Sequence, residues 1–320
     1  MGIVILGFLM LFSIISLNLA SNNISTYAEE TETNNIVIKD ADLVVEEYIS
    51  GLNLPVMIDF IDQYMLVIEK DEGTVKIIKD GILISEPILQ LEVSNASEEG
   101  LLGILVQNNN VFLHHTTNSM DDGTVSNWFT KYTWNDGEKL IEPVKLLSFH
   151  HGRGDHNSGV MIEDENGVVF GAIGDMGYVE GSYAPNNSVL IENEKMLYQN
   201  FLLDESDPVG SILSLDTPRE IYAIGIRNTF GLDIDPVTGI LWDTENGPNL
   251  FDEVNLIQKK FNSGWNEIMG PIKDNEETPI INGYEYSDPE FSWERPVAVT
   301  SIHFIQSPLF PEHENSVLIG

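Results

Sequence analysis

Three short, glycine-punctuated segments gather most of the side chains with which this chain can act on another molecule. The densest is FHHGRGDHNSG, residues 149–159, which sets His150, His151, Arg153, Asp155 and His156 within seven positions. Its glycines predict a loop rather than a strand, and loops on a rigid scaffold are where binding and catalysis concentrate. Imidazole titrates near neutral pH and a carboxylate can orient it, so His156 beside Asp155 suits a general base. A surface loop with idle histidines and a His-metal site stay open as alternatives, although this His spacing matches neither HExxH nor a usual zinc pattern. The second segment, IGIRNTFGLDIDP (224–236), places Arg227 among apolar residues in a chain with only four Arg (Arg153, Arg219, Arg227, Arg295). A guanidinium so placed is expected to meet an anion, either a ligand or one of the chain's own carboxylates. The third, ENGPNLFDEVNLI (245–257), surrounds Gly247–Pro248 with acidic and amide side chains and free carbonyls, the hard oxygen ligands that calcium takes.

The rest of the composition narrows the chemistry. Across 320 residues, 15 Lys+Arg stand against 51 Asp+Glu, a formal charge of −36. No nucleic acid is expected as a partner, because phosphate binding needs cations that release counterions. Docking on anionic lipid through a basic patch is disfavoured for the same reason. With no Cys in the chain, thiolate metal sites, thiol catalysis and disulfides are excluded. Asp233, Asp235, Gly239 and Glu245 come near an EF-hand loop, but the glycine is displaced and strand residues fill the ligand positions. Neither a P-loop, a dinucleotide glycine fingerprint nor a G-x-S-x-G elbow is present.

These segments must be held by elements of one kind. Amphipathic helices are scarce, and short runs of Val, Ile, Leu, Phe and Tyr alternate with Asn, Asp and Gly turns. A first strand recurs at Val56–Phe60, Leu101–Leu105, Val160–Ile162, Leu232–Ile234 and Ile302–Ile305. Each is followed by a second at Met65–Ile68, Val111–His114, Val168–Ile173, Ile240–Trp242 and Val317–Ile319. Repetition of this kind predicts an all-β fold of propeller blades, with a plain β-sandwich as the alternative. The unit after Val299 reaches Gly320 directly from NSVLI, with no turn or polar tail, so the last blade or blades are expected to be incomplete in this chain.

Ahead of the repeats, Gly2 to Leu19 is almost continuously apolar, and no charged side chain occurs before Glu29. This run predicts a hydrophobic helix that serves as a signal peptide (residues 1–28) or an uncleaved membrane anchor through residues 2–19, with a buried structural helix as the alternative. Residues 29–45 read as an acidic linker, and residues 46–320 as the propeller. Either export reading of the N-terminal run places the protein outside the cytoplasm, secreted or on the cell surface. Three N-x-S/T triplets, at Asn23, Asn95 and Asn186, agree with that.

In order, EEGLLG (98–103), DHNSG (155–159), GDMG (174–177), GIRNTFGLDIDP (225–236), ENGP with DEVNL (245–256) and NSGW (262–265) resemble the glucose/sorbosone dehydrogenase family. The resemblance runs over about residues 45–320. It implies a six-bladed β-propeller that holds pyrroloquinoline quinone (PQQ) and calcium and oxidises an aldose sugar at C1 to the lactone, passing electrons to an external acceptor. His156 would be the general base, taking the C1 hydroxyl proton while hydride passes to the quinone, with Asp155 beside it facing the substrate. Arg227 and Asn228 would contact the cofactor, and Glu98, Trp293 and Arg295 would help to line its seat. The carbonyls of Gly247 and Pro248 would bind calcium, with Asp252 nearby. Three positions depart from the family pattern: Val160 replaces an Arg, Phe230 a polar residue, and Ser263 the aromatic of N-Y-G-W. Two other functions stay open: a non-catalytic extracellular propeller binding a protein or glycan, and a calcium-dependent lactonase-like hydrolase. The dehydrogenase alone would require PQQ.

Overall fold

The computed structural model describes residues 3–5, 45–118, 125–135, 139–151, 155–177, 209–216, 218–273, 280–281 and 283–320. Strands account for nearly all of the regular structure there, and a single 3-10 turn at Pro311–His313 is the only helical element among the described residues. The strands are β1 (Ile3–Ile5), β2 (Pro55–Ile61), β3 (Tyr64–Glu69), β4 (Thr74–Lys79), β5 (Ile82–Leu83), β6 (Leu89–Gln90), β7 (Leu101–Gln107) and β8 (Asn110–Asn118). They continue with β9 (Val125–Asn135), β10 (Lys139–His151), β11 (Met161–Glu163), β12 (Val169–Ile173), β13 (Ser211–Ser214), β14 (Ile221–Ile224), β15 (Thr229–Ile234) and β16 (Leu241–Glu245). The last are β17 (Asp252–Ile257), β18 (Phe261–Asn262), β19 (Ile280–Ile281), β20 (Tyr284–Tyr286), β21 (Phe291–Trp293), β22 (Ile302–Phe304) and β23 (Val317–Ile319).

Hairpins form because β-branched and aromatic runs are closed by residues that accept tight turns. Asp62, Asp80 and Asn108 take φ of +52°, +51° and +52° between β2 and β3, β4 and β5, and β7 and β8, a conformation that Asp and Asn tolerate. The hairpins build antiparallel sheets in chain order: β2-β3-β4-β5 with β6 also on β4, β7-β8-β9-β10, β11-β12-β13-β14, and β15-β16-β17-β21. β18, β20 and β19 extend the third sheet beyond β14, and β22 and β23 begin a fifth. The inner strands neighbour one another in sequence, β2 against β7, β7 against β11, β11 against β15, and β15 against β22. This is the β-propeller that the repeats predict, with the first strand of each repeat on the inside.

A separate apolar core fills each gap between successive blades. Leu66, Ile68 and Val75 meet Leu101, Ile104 and Leu113 between the first two blades. Phe112, Phe129 and Leu147 meet Met161, Ile173 and Leu213 between the next. Ala172 and Ile212 then face Leu232 and Ile257, and Trp242 and Val254 face Ile302 and Val317. Polar latches join the inner strands across three of these gaps. Asp59 accepts from the Val106 N–H at 2.6 Å, Gln107 donates to Glu163 at 2.8 Å, and Asp233 accepts from the Phe304 N–H at 2.7 Å. Burial raises Asp59 above the usual carboxylate range although it accepts backbone N–H groups.

Two local expectations need correction. Ile3–Ile5, within the apolar run read as a helix, pairs in parallel with Val317–Ile319. Ile and Val favour extended backbone, and the outer edge of β23 offers unpaired N–H and C=O groups. The remainder of the 1–28 segment and the acidic linker up to residue 44 lie outside the described residues, among which no helix is long and apolar enough to cross a membrane. Phe149–His151, read as part of a loop, belong to β10, because the ladder with β9 continues to the pair His151–Val125.

Phe129 is fully buried in the core between the second and third blades. Phe129→Ala should lower the unfolding free energy by about 3–5 kcal/mol, measured by urea denaturation. A loss under about 1 kcal/mol would mean that this core repacks or is looser than described.

Candidate active site

The residues singled out from the sequence are delivered at equivalent points of three blades. Glu98, His156 and Arg227 lie just ahead of the inner strands β7, β11 and β15, so the chain brings one to the site as it enters each blade. The segment carrying the histidine is sharply bent: His156 and Ser158 take φ of +56° and +53°. Left-handed backbone costs a non-glycine residue about 1–2 kcal/mol, and hydrogen bonds hold it in place. The His156 N–H donates to Glu98 Oε2 at 2.6 Å, and Ser158 Oγ both donates to Asn228 Oδ1 at 3.2 Å and accepts from the Thr229 N–H at 3.1 Å. Asn228 Nδ2 also lies 3.4 Å from Glu98 Oε2. Glu98, His156, Arg227 and Asn228 therefore form one cluster.

His156 is fixed through both ring nitrogens. Nδ1 lies 2.5 Å from Asp175 Oδ1, and Nε2 lies 2.9 Å from Arg227 Nη2. A guanidinium only donates, so Nε2 is the acceptor and the imidazole proton sits on Nδ1, directed at Asp175. Asp175 is 2 % exposed. Its Oδ1 also accepts from the Gly177 N–H at 2.9 Å, and its Oδ2 accepts from Trp265 Nε1 at 2.7 Å. Asp175 reaches this position because β12 runs into Gly174, where a Cβ would stand 2.0 Å from the His156 carbonyl oxygen and 2.8 Å from that of Arg227. No other residue fits between those two strands of backbone.

Arg227 is held as firmly. Its N–H donates to Glu245 Oε1 at 2.6 Å, Nη1 donates to the Asn246 carbonyl at 2.6 Å, and Cζ lies 5.4 Å from the centre of the Trp265 ring. Its Nε is buried with no acceptor among the described residues, which leaves that donor for an anionic or carbonyl-bearing group. Asp155 lies at the edge of the cluster, where it accepts from Ser97 Oγ at 2.6 Å.

The Gly247–Pro248 turn follows β16. A Cβ at Gly247 would fall 1.9 Å from the Phe251 carbonyl oxygen, so only glycine can follow this path. Both oxygens of Asp252 are taken by backbone donors: Oδ1 by Gly247 N at 2.9 Å, Oδ2 by Val297 N at 2.7 Å and Ala298 N at 2.6 Å. Asp252 thus fastens the turn. Among the described residues no group of three or more His, Asp or Glu side chains is arranged to hold a metal, so a cation at this turn would rely on carbonyl oxygens. Trp293 lies on β21, opposite Asp252, and packs against the core between the fourth and fifth blades. Arg295 is exposed, and neither residue shares a hydrogen bond with the His156 cluster.

Behind the site lies a set of buried carboxylates. Asp243, Glu245 and Glu253 are nearly inaccessible. Burial raises Asp243 to about 7 and Glu253 to about 7, and holds Glu245 well above the usual range, with like charge from its neighbours adding to the rise. Glu245 Oε2 accepts from Ser263 Oγ at 2.7 Å, which gives a hydrogen-bonding place to one of the three departures from the family pattern. Val160 packs in the core between the third and fourth blades, and Phe230 is partly exposed. Asp175 and Trp265 went unassigned from the sequence, although GDMG and NSGW carried them; nothing in either motif says that they meet.

A family model described as Glucose / Sorbosone dehydrogenase matches residues 52–320. The chain is 31% identical over 172 residues to quinoprotein glucose dehydrogenase B of Acinetobacter calcoaceticus, across 49% of this chain and 34% of that protein. It is 30% identical over 176 residues to an aldose sugar dehydrogenase of Escherichia coli (strain K12), across 52% of this chain and 45% of that one. These matches span less than half the length of either relative. In fold it is similar to the PQQ-bound form of aldose sugar dehydrogenase from Streptomyces coelicolor, with a TM-score of 0.59 and 22% identity over 81% of this chain and 74% of that one.

Asp243 has a folded pKa raised to about 7 and an ordinary carboxylate value when unfolded. The folded chain therefore binds more protons between these values, and the stability Asp243 contributes is lost as pH rises through the window. Asp243→Asn should make the fall in urea midpoint from about pH 5 to about pH 8 shallower than in the parent chain. An equally steep fall would place the titrating group elsewhere.

Proposed function

Since the chain belongs to the glucose/sorbosone dehydrogenase family, we propose that it oxidises an aldose at C1 to the lactone with His156 as general base. The observation that carries this reading is the fixed tautomer of His156. Asp175 holds the proton on Nδ1, so Nε2 is the nitrogen left with a lone pair, 2.9 Å from the cation of Arg227. When the C1 hydroxyl takes the place of that guanidinium contact, Nε2 receives the hydroxyl proton. Asp175 then stabilises the imidazolium across the short Nδ1 bond, as a buried carboxylate does for a catalytic histidine.

The residues present fit an anionic quinone cofactor. The buried Nε of Arg227 lacks an acceptor, and Asn228 is close by, held by Ser158 and Glu98. Bound PQQ would supply the two-electron acceptor, with calcium balancing its carboxylates and polarising it. Arg227 and Asn228 would hold it, and the Gly247 and Pro248 carbonyls would hold the cation, with Asp252 fastening their turn from behind. Glu98 binds the backbone of His156 and so keeps the base in register with Asn228. Asp155, at the edge of the cluster, would meet a sugar hydroxyl. The similarity to a quinoprotein glucose dehydrogenase and to an aldose sugar dehydrogenase supports the cofactor and the substrate class. The apolar run at 2–19 supports an activity outside the cytoplasm, with electrons passing to an external acceptor.

The test is dye reduction with aldoses in the presence and absence of PQQ and calcium. Turnover should require both, and His156→Asn should reduce it by about 10²- to 10⁴-fold with PQQ binding nearly intact by calorimetry. Full turnover in that variant would remove His156 from the base role. Lactone opening without PQQ would instead favour a hydrolase, and neither activity a binding module.

A further inference from the structure

The His156 cluster closes on itself through a residue to which no role has yet been given. Asp175 Oδ1 meets His156 Nδ1 at 2.5 Å, and His156 Nε2 meets Arg227 Nη2 at 2.9 Å. The Arg227 guanidinium lies 5.4 Å from the centre of the Trp265 ring, and Trp265 Nε1 returns to Asp175 Oδ2 at 2.7 Å. We propose that Trp265 is a positioning residue, which keeps the buried carboxylate and the guanidinium apart so that Asp175 stays on His156 Nδ1 and Arg227 stays free to turn from Nε2 to the cofactor. This inference rests on the reading of His156 as the base.

Two pairings compete for the carboxylate. A buried carboxylate and a nearby guanidinium favour a bidentate pair, among the strongest charge-assisted contacts available to side chains. Were that pair to form, Asp175 would lose its bond to Nδ1, and Arg227 would turn from Nε2 and from the Asn246 carbonyl. Trp265 blocks it from two directions. Its indole N–H occupies Oδ2 and leaves Oδ1 to His156 and Gly177, while its ring face offers the guanidinium a cation–π seat. Phe has the ring without the donor, and an aliphatic side chain has neither.

Local structure holds Trp265 in this place. Asn262 pairs in parallel with Ile224 at the β14–β18 junction. The Ser263 N–H then donates to the Ile224 carbonyl at 3.0 Å and the Trp265 N–H to that of Gly225 at 3.2 Å. Ser263 Oγ ties the same segment to Glu245, which also holds the Arg227 backbone. The segment that carries the indole is thus bonded on both sides to the stretch that carries the guanidinium.

The test uses the cofactor-free chain first. The short His156–Asp175 bond should give a far-downfield proton resonance at neutral pH, assigned by its loss in His156→Asn. Trp265→Phe and Trp265→Leu should displace it; an unchanged resonance in both would overturn the proposal. With PQQ, calcium and an aldose, Trp265→Phe should lower kcat by about 10- to 100-fold with KM within about twofold. A displaced resonance with kcat and KM both at parent values would show the contact to be merely structural and overturn the positioning role. Should both variants fail to fold, the indole N–H of Trp265 in the ¹⁵N-labelled parent replaces them. It should shift on His156→Asn while the other four of the five Trp signals stay, and no shift would count against the proposal. Absence of PQQ-dependent turnover in the parent chain would fell the dehydrogenase reading, whereas the resonance reads the Trp265 contact by itself.

Discussion

A carboxylate taken out of water must be met by donors on every side, and Asp175 imposes that condition on the whole candidate site. An uncompensated charge at this depth would cost several kcal/mol. Here His156 Nδ1, the Gly177 N–H and Trp265 Nε1 supply the donors, from three separate stretches of chain. The requirement explains why His156 keeps its proton on Nδ1 and why Nε2 is the nitrogen that faces Arg227, and it can be met because glycine at 174 passes between the His156 and Arg227 carbonyls. Displacing any of these groups would leave the carboxylate short of a partner.

The propeller makes such convergence cheap in chain terms. Each blade presents the entry to its inner strand at the same end of the fold, so Glu98, His156 and Arg227 arrive together although they are far apart in sequence. Apolar cores between successive blades fix the angles, and the latches from Asp59, Gln107 and Asp233 fix the register of neighbouring inner strands. The acidic character of the chain becomes intelligible as well. Carboxylates are structural acceptors throughout, for backbone N–H groups at Asp59, Asp252 and Glu245, and a cation near the site is correspondingly rare. Arg227 is held by five separate contacts, with its Nε donor still to be met.

Much of this was legible in the amino-acid sequence, and what was not has physical causes. Strand pairs at 56–68, 101–114, 160–173, 232–242 and 302–319 could be read because burial on a sheet imposes local periodicity, and the structure has strands at each. His156, Arg227, Asn228 and Glu98 were recognisable by residue type and motif, and they do come together. Asp175 and Trp265 escaped assignment because their role lies in contacts between residues 90 positions apart, which no local pattern encodes. Asp252 read as a residue near a cation because it is an acid beside Gly247–Pro248, yet both of its oxygens answer backbone N–H groups. The resemblance puts Trp293 at the cofactor's seat, yet its ring packs against an inter-blade core. The extension of β10 through His151 was hidden by the glycines that follow it, since composition marks a turn to within a few residues only.

The most direct test of the central claim is a crystal structure of the chain grown with PQQ and calcium. Cofactor density is expected between Arg227 and the Gly247–Pro248 turn, with the guanidinium turned from His156 Nε2 toward the cofactor and Nδ1 still bound to Asp175. Density elsewhere, or a guanidinium still seated on Nε2 beside a bound cofactor, would contradict it.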